Sequence, residues 1–94
     1  MNSYLVERYL PGVSEAELRV GLKRLEEACA ELSARGDSVR YLGSMFLAEE
    51  ETCFCRLDGD SAAAPAKANE IAQLPFARIT AGLAITPAGP KPSG

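Results

Sequence analysis

Apolar positions along the chain follow two periods, one typical of strands and one typical of helices. Ser3–Leu10 contains the β-forming residues Tyr4 and Val6 and runs into a Pro-Gly pair, which predicts a first strand. Apolar side chains then recur at intervals of four, three, four and three residues, as on one face of a helix. They are Leu18, Leu22, Leu25, Cys29 and Leu32. This stretch is the predicted first helix.

The ends of this helix are also marked in the sequence. Ser14 and Glu17 have the spacing of a capping box, in which each side chain accepts a hydrogen bond from the other residue's backbone. Gly36 follows the last apolar position and favours the left-handed conformation that commonly ends a helix. We therefore expect the helix to begin just after Ser14 and to end near Gly36.

Two further strands are predicted in the middle of the chain, where they form a hairpin. Val39–Leu42 and Thr52–Leu57 are rich in β-branched, aromatic and sulfur-containing residues. The acidic segment 48–51 between them follows neither the strand period nor the helix period. It is expected to form the connection between the two strands.

The C-terminal part of the chain predicts a second helix and a fourth strand. Ser61 is placed to cap this helix, which presents a narrow face of mostly small residues and breaks at 74–76. Ala77–Ile85 then alternates in a strand period. The last nine residues hold three prolines and two glycines, so we expect a folded domain over 1–86 and a disordered tail over 87–94.

The order of these elements predicts an α+β fold of the ferredoxin-like βαββαβ type. In this fold the first and third strands form the centre of a four-stranded antiparallel sheet, flanked by the fourth and the second. Both helices cover one face of the sheet. The opposite face, called here the open face, has no helix over it, and what covers it is the functional question.

Alternation along the strands assigns each side chain to one of the two faces. The positions predicted to face the helices are Tyr4, Val6, Arg8, Leu10, Tyr41, Met45, Cys53, Cys55, Leu57, Ile79, Leu83 and Ile85. The positions predicted on the open face are Leu5, Glu7, Tyr9, Arg40, Leu42, Phe46, Phe54, Arg56 and Thr80. A bulge at Gly43 would exchange the two faces for the residues that follow it.

The open face combines an apolar floor with a few polar groups, which is the composition of a binding surface. Its candidate ligand-binding residues are Glu7, Tyr9, Arg40, Phe54 and Arg56. Glu7 and Arg56 lie on the two central strands and are expected to form a cross-strand ion pair. The apolar side chains of this face would form a large exposed patch on a monomer, so we expect a homodimer whose interface includes the open face.

The charge and the cysteine content limit the kinds of binding partner and the cellular location that we expect for this protein. The formal net charge is −3 and the ten basic residues are scattered, whereas binding to phosphates needs clustered Lys and Arg. No apolar run is long enough to span a membrane, and the N-terminal segment lacks a signal-peptide pattern. We expect no nucleic acid or membrane partner, a cytoplasmic location, and three reduced cysteines, of which Cys53 and Cys55 are buried.

Three stretches of the sequence carry a resemblance to a known family. They are YLVERYLPGVSEAEL near the start, RYLGSMFLAEEETCFCRLDG in the hairpin and ANEIAQLPFARI near the end. Together they resemble a small bacterial family of unknown function whose members are often described as nickel-binding proteins. The resemblance covers Tyr4–Ile85. It implies a ferredoxin-like sandwich that dimerises through its sheet, and nickel bound by oxygen and nitrogen ligands.

The residues themselves leave three functions open. Because the chain has no histidine, a nickel site would have to use Cys53, Cys55, carboxylates or backbone groups. The same lack excludes a Ser/His or Cys/His nucleophile pair. The first function is a dimer that binds a small ligand or metal ion on the open face. The alternatives are a cofactor-independent enzyme of the cyclase, isomerase or monooxygenase type with its site in the dimer cleft, and an interaction module without a ligand.

Overall fold

The computed structural model describes residues 2–88 and has the predicted order of elements. The strands and helices are β1 (Asn2–Tyr9), α1 (Glu15–Ala34), β2 (Val39–Leu47), β3 (Thr52–Gly59), α2 (Ala63–Ile71) and β4 (Arg78–Gly82), with one 3-10 turn (Ala48–Glu50) between β2 and β3. The strands form one antiparallel sheet in the order β2-β3-β1-β4. The predicted ferredoxin-like fold and its strand order are therefore confirmed. Most of the predicted tail, 87–94, lies outside the described residues.

The core lies between the sheet and the two helices. Val6 and Leu57 from the central strands are fully buried, as is Leu25 from α1. Cys53 and Cys55 are also fully buried on this side, which confirms the alternation predicted for β3. Central strands carry the most buried side chains because each has a neighbour on both edges and helices over one face.

Helix α1 begins and ends as its sequence predicts. The Ser14 hydroxyl accepts a hydrogen bond from the Glu17 backbone N–H at 3.1 Å, and the Glu17 carboxylate accepts one from the Ser14 backbone N–H at 3.2 Å. Hydrogen bonds to the Glu17 carboxylate from the Ser14 hydroxyl, the larger cause, and from the Ser14 backbone N–H lower the pKa of Glu17 below its ordinary value. Gly36, just beyond the end of α1, has a positive φ of 95°.

Helix α2 begins differently from the prediction. Ser61 does not cap it through its side chain: the N-cap is Ala62, in helical conformation and without a side-chain hydrogen bond. The close approach of this helix to the sheet follows from its small residues. A Cβ built on Gly59 of β3 would lie only 3.2 Å from Cδ of Pro65, so the glycine permits this packing.

A bulge in β2 corrects the predicted faces of two residues. The register of β2 against β3 shifts between Tyr41 and Gly43, where Gly43 has a φ of 142°. As a result Met45 lies opposite Phe54 on the open face, whereas Phe46 packs against the core. The predictions that Met45 faces the helices and Phe46 the open face are therefore wrong, because the extra residue exchanges the faces beyond it.

Strand β4 is shorter than predicted. It ends at Gly82, which pairs with Ser3 near the start of β1, so the residues that follow run past the paired strand. Ile79 packs against the core as predicted, but Leu83 and Ile85, which were predicted to face inward, are exposed. Across 2–88 the structure has no helix with both the length and the apolar character needed to cross a bilayer.

Candidate functional site

One row of side chains crosses the open face, with one residue from each of the four strands; it is called here the first row. Met45 of β2 lies opposite Phe54 of β3, which lies opposite Glu7 of β1, which lies opposite Arg78 of β4. Arg78 Nε donates to Glu7 Oε2 at 2.7 Å. Glu7 therefore pairs with Arg78, and the predicted ion pair with Arg56 is wrong. The alternation of β4 beside β1 was the signal that could have identified Arg78.

The neighbouring row contains Arg56 and the main apolar part of the open face. Arg56 lies opposite Leu5 of β1, and Leu42 approaches from the bulge of β2. With Met45 and Phe54 from the first row, these side chains line a shallow cavity of about 350 Å³. Leu5, Leu42 and Met45 are 41%, 39% and 66% exposed. An apolar cavity with one guanidinium at its wall is thus the main concave feature of this face.

Arg40 and Tyr9 lie at opposite ends of the open face. Arg40 approaches Asp58 at 3.6 Å, and Asp58 also accepts a hydrogen bond of 3.0 Å from the Ser3 hydroxyl. Tyr9 lies opposite Thr52, six residues from Asp58 along β3 and so about 20 Å away. All five predicted site residues share the open face, but only Phe54 and Arg56 line its cavity.

A second polar cluster, which sequence reasoning did not identify as a site, lies on the opposite side of the sheet around Arg8. This residue is fully buried. Its Nη1 donates to the backbone oxygens of Leu74 and Pro75 at 3.3 and 3.1 Å, and its Nη2 donates to Asn69 Oδ1 at 2.7 Å. Its Nε has no hydrogen-bond partner. The inward alternation of β1 at a charged residue was the available signal.

Two cysteines of β3 complete this cluster. Cys55 Sγ lies 3.4 Å from Arg8 Nη2, 2.9 Å from the Ser44 hydroxyl and 3.8 Å from Cys53 Sγ. The hydrogen bond from Cys53 is the largest cause that lowers the pKa of Cys55, to about 6, and the guanidinium of Arg8 and the hydroxyl of Ser44 act in the same direction. The pKa of Cys53 is raised by the same hydrogen bond and by burial. The pair therefore favours one thiolate, at Cys55.

The third cysteine provides a contrast within the same protein. Cys29 of α1 is as buried as the two cysteines of β3, but burial raises its pKa to about 11 and the carboxylate of Glu26 acts in the same direction. Burial and a nearby carboxylate therefore keep the thiol of Cys29 protonated. At Cys55 the hydrogen-bond donors and the guanidinium of Arg8 outweigh the effect of burial and lower the pKa.

The donor side chains of residues 2–88 in one copy of the chain do not fit nickel. Across residues 2–88 no three side chains of the His, Cys, Asp or Glu type come together in a group that could hold a metal ion. Cys53 and Cys55 supply only two sulfur atoms, and the Arg8 guanidinium next to Cys55 would repel a cation. A metal bound by this protein would need donors from beyond one copy of this part of the chain.

The architecture defines a small ferredoxin-like α+β protein with one sheet face uncovered. The family model described as "Nickel responsive protein SCO4226-like" matches residues 4–81, and the chain belongs to this family. This match confirms the resemblance of the sequence to that family.

One solved structure gives the same fold. SCO4226 from Streptomyces coelicolor A3(2) superposes with a TM-score of 0.66 over 83% of this chain and 91% of its own, at 16% sequence identity. At this identity the likeness concerns the fold alone. The comparison with curated proteins gave no match.

Proposed function

We propose that the protein is a homodimer that pairs two copies of its open face and binds a small ligand in the cleft between them. The observation that carries the proposal is the exposure of Leu5, Leu42 and Met45 together on a sheet face that no described helix covers. Burying such a patch against its own copy removes apolar surface from water, which favours association.

The charges of the open face are compatible with a second copy as its occupant. Glu7 and Arg78 neutralise each other, as do Arg40 and Asp58, so the apolar centre can be buried without leaving these four charges unpaired. An interface around a two-fold axis uses the same patch on both copies, and a sheet face with an apolar centre can match itself in this way.

The proposed ligand is a small organic anion. Arg56 borders the cavity and has no ion pair within the described part of the chain, so its guanidinium is available to a carboxylate or phosphate over an apolar floor. The family's description adds nickel as a second candidate ligand, which would require donors from both copies. The cofactor-independent enzyme is less well supported, because Glu7, a carboxylate of the open face that could act as a base, is paired with Arg78.

A cytoplasmic location is part of the same proposal. All three cysteines are free, and a chain with unpaired, buried thiols suits a compartment that keeps thiols reduced.

Sedimentation equilibrium at micromolar concentration tests the dimer. We expect the wild-type protein to be dimeric and Met45→Glu to be monomeric, because the new carboxylate would be buried in the interface. Val20→Glu is the matched control, since Val20 is 59% exposed on α1, away from the sheet. A monomeric wild-type protein, or equal weakening by both substitutions, would refute the dimer.

Thermal unfolding with a series of aliphatic carboxylates, inorganic phosphate and nickel chloride tests the ligand. We expect a carboxylate or phosphate to raise the melting temperature of the wild-type protein and of Arg40→Met, whose position is away from the cavity, but not of Arg56→Met. A shift with nickel alone would favour the metal. No shift with any probe, in a protein that is dimeric, would favour the interaction module without a ligand.

A further inference from the structure

Arg8 lies in the core without a carboxylate partner. Each of its contacts within residues 2–88 is to a neutral oxygen or to sulfur, and no ion pair of Arg8 occurs in this part of the protein. An isolated buried charge is strongly unfavourable, so a guanidinium in this position needs a counter-charge. The acidic group in contact with it is the thiol of Cys55, at 3.4 Å.

We propose that Cys55 is a buried thiolate nucleophile, paired with Arg8 and hydrogen-bonded by Ser44, that reacts with small peroxides. A guanidinium and a hydroxyl both directed at one sulfur stabilise its anion, and the thiolate is the nucleophilic form of cysteine. The Nε of Arg8 has no acceptor, so the neutral neighbours of this guanidinium satisfy it only in part. The site lies on the helix side of the sheet and goes beyond the proposed function of the open face.

A cleft between α1 and β2 provides the approach to this sulfur. It has a volume of about 600 Å³ and is lined by Leu18 and Leu22 of α1 and by Tyr41 and Ser44 of β2. The Ser44 hydroxyl reaches from the wall of this cleft to Cys55 Sγ at 2.9 Å. Ser44 thus contacts both the cleft and the sulfur, and hydrogen peroxide would reach Cys55 by passing this small side chain, whereas a bulky thiol reagent would have to displace more of its surroundings.

The reaction transfers two electrons from sulfur to the peroxide. The Cys55 thiolate attacks one oxygen of hydrogen peroxide, so that an S–O bond forms and the O–O bond breaks. The products are the sulfenic acid of Cys55 and hydroxide, which takes a proton from solvent to become water. The thiol of Cys53, at 3.8 Å, is the nearest group with which the sulfenic acid could condense.

Cys29 is the control within the same molecule. It is also buried and borders a cavity, of about 650 Å³, but its pKa is raised to about 11, against about 6 for Cys55. Cys55 therefore carries far more thiolate than Cys29 at pH 7, and we expect it to be oxidised the faster of the two although a low-pKa thiolate is the weaker nucleophile.

The test treats the native protein with hydrogen peroxide, removes the excess peroxide, then unfolds the protein in the presence of dimedone, which traps sulfenic acids, and locates the adduct by mass spectrometry. The wild type and Cys53→Ser are compared, because the serine keeps a hydrogen-bond donor but cannot form a disulfide. We expect the dimedone adduct at Cys55 in Cys53→Ser, and either this adduct or a Cys53–Cys55 disulfide in the wild type, with Cys29 unmodified at the same time point.

Ser44→Ala tests the role of the hydroxyl at an exposed position where misfolding is not expected. Losing this hydrogen bond should raise the pKa of Cys55, so the pH below which oxidation of Cys55 slows should move upward, while oxidation of Cys29 stays unchanged. The proposal would be overturned by equal rates at Cys29 and Cys55, by an adduct at Cys55 that forms only when the peroxide is added to the unfolded protein, or by a pH dependence of Cys55 oxidation in Ser44→Ala equal to that of the wild type.

Discussion

The thiolate of Cys55 predicts a dependence of stability on pH in a range where few other groups titrate. The chain has no histidine, so the interval between pH 6 and 8 lacks its usual titrating side chain. The folded-state pKa of Cys55 is about 6, against an ordinary value of 9.0, with the hydrogen bond from Cys53 as the largest cause and Arg8 and Ser44 adding to it. Between these values the unfolded chain holds a proton that the folded protein has released.

The direction and size of the effect follow from this difference in bound protons. The free energy of unfolding should rise with pH from about 6 to about 9, where the unfolded chain keeps the Cys55 proton that the folded protein has released, and this contribution is lost as the pH falls through the folded pKa. A difference of one bound proton gives a slope of up to about 1.4 kcal/mol per pH unit in the middle of this range. The raised pKa values of Cys53 and Cys29 act oppositely, but only above pH 9.

Urea denaturation of the reduced protein at several pH values between 6 and 8.5, at one fixed protein concentration, measures this slope. Cys55→Ser replaces the thiolate with a neutral hydroxyl and should remove most of the slope. Cys29→Ser is the matched control, because it removes another buried thiol and should keep the slope. Parallel curves for the wild type and Cys55→Ser would refute the reasoning and would mean that Arg8 is buried without a thiolate partner.

Three further substitutions test the fold, each by urea denaturation against the wild-type protein. Leu25→Ala should cost about 2–5 kcal/mol because it leaves a cavity in the fully buried core, and a cost below that range would show that the core collapses around it. Ser14→Ala should cost about 1 kcal/mol through the lost cap of α1, with Ser61→Ala as a nearly neutral control because Ser61 caps nothing through its side chain. Gly43→Ala should cost about 1–3 kcal/mol through its positive φ alone, since no atom lies within 4 Å of the added methyl group, and an unchanged stability would refute the strain.

Local sequence was sufficient for the features that depend on neighbouring residues. The capping box of Ser14 and Glu17 and the apolar face of α1 follow from spacings of three and four residues, which the helix converts directly into contacts. The burial of Cys53 and Cys55 follows from alternation along one uninterrupted strand. The order of the elements then left the ferredoxin-like arrangement as the simplest way to connect them.

Only the tertiary structure decided the features that depend on register or on contacts between distant residues. Sequence allowed a bulge at Gly43 but did not require it, and the bulge determines that Met45 rather than Phe46 lies on the open face. The choice of ion-pair partner for Glu7 also depends on the tertiary structure, because its partner, Arg78, lies 71 residues away in the sequence. Arg8 and Cys55 are 47 residues apart, and their contact exists because two adjacent strands direct both side chains under the helices. A period in the sequence gives the face of the sheet on which a side chain lies, but its partner on that face is set by how the strands align.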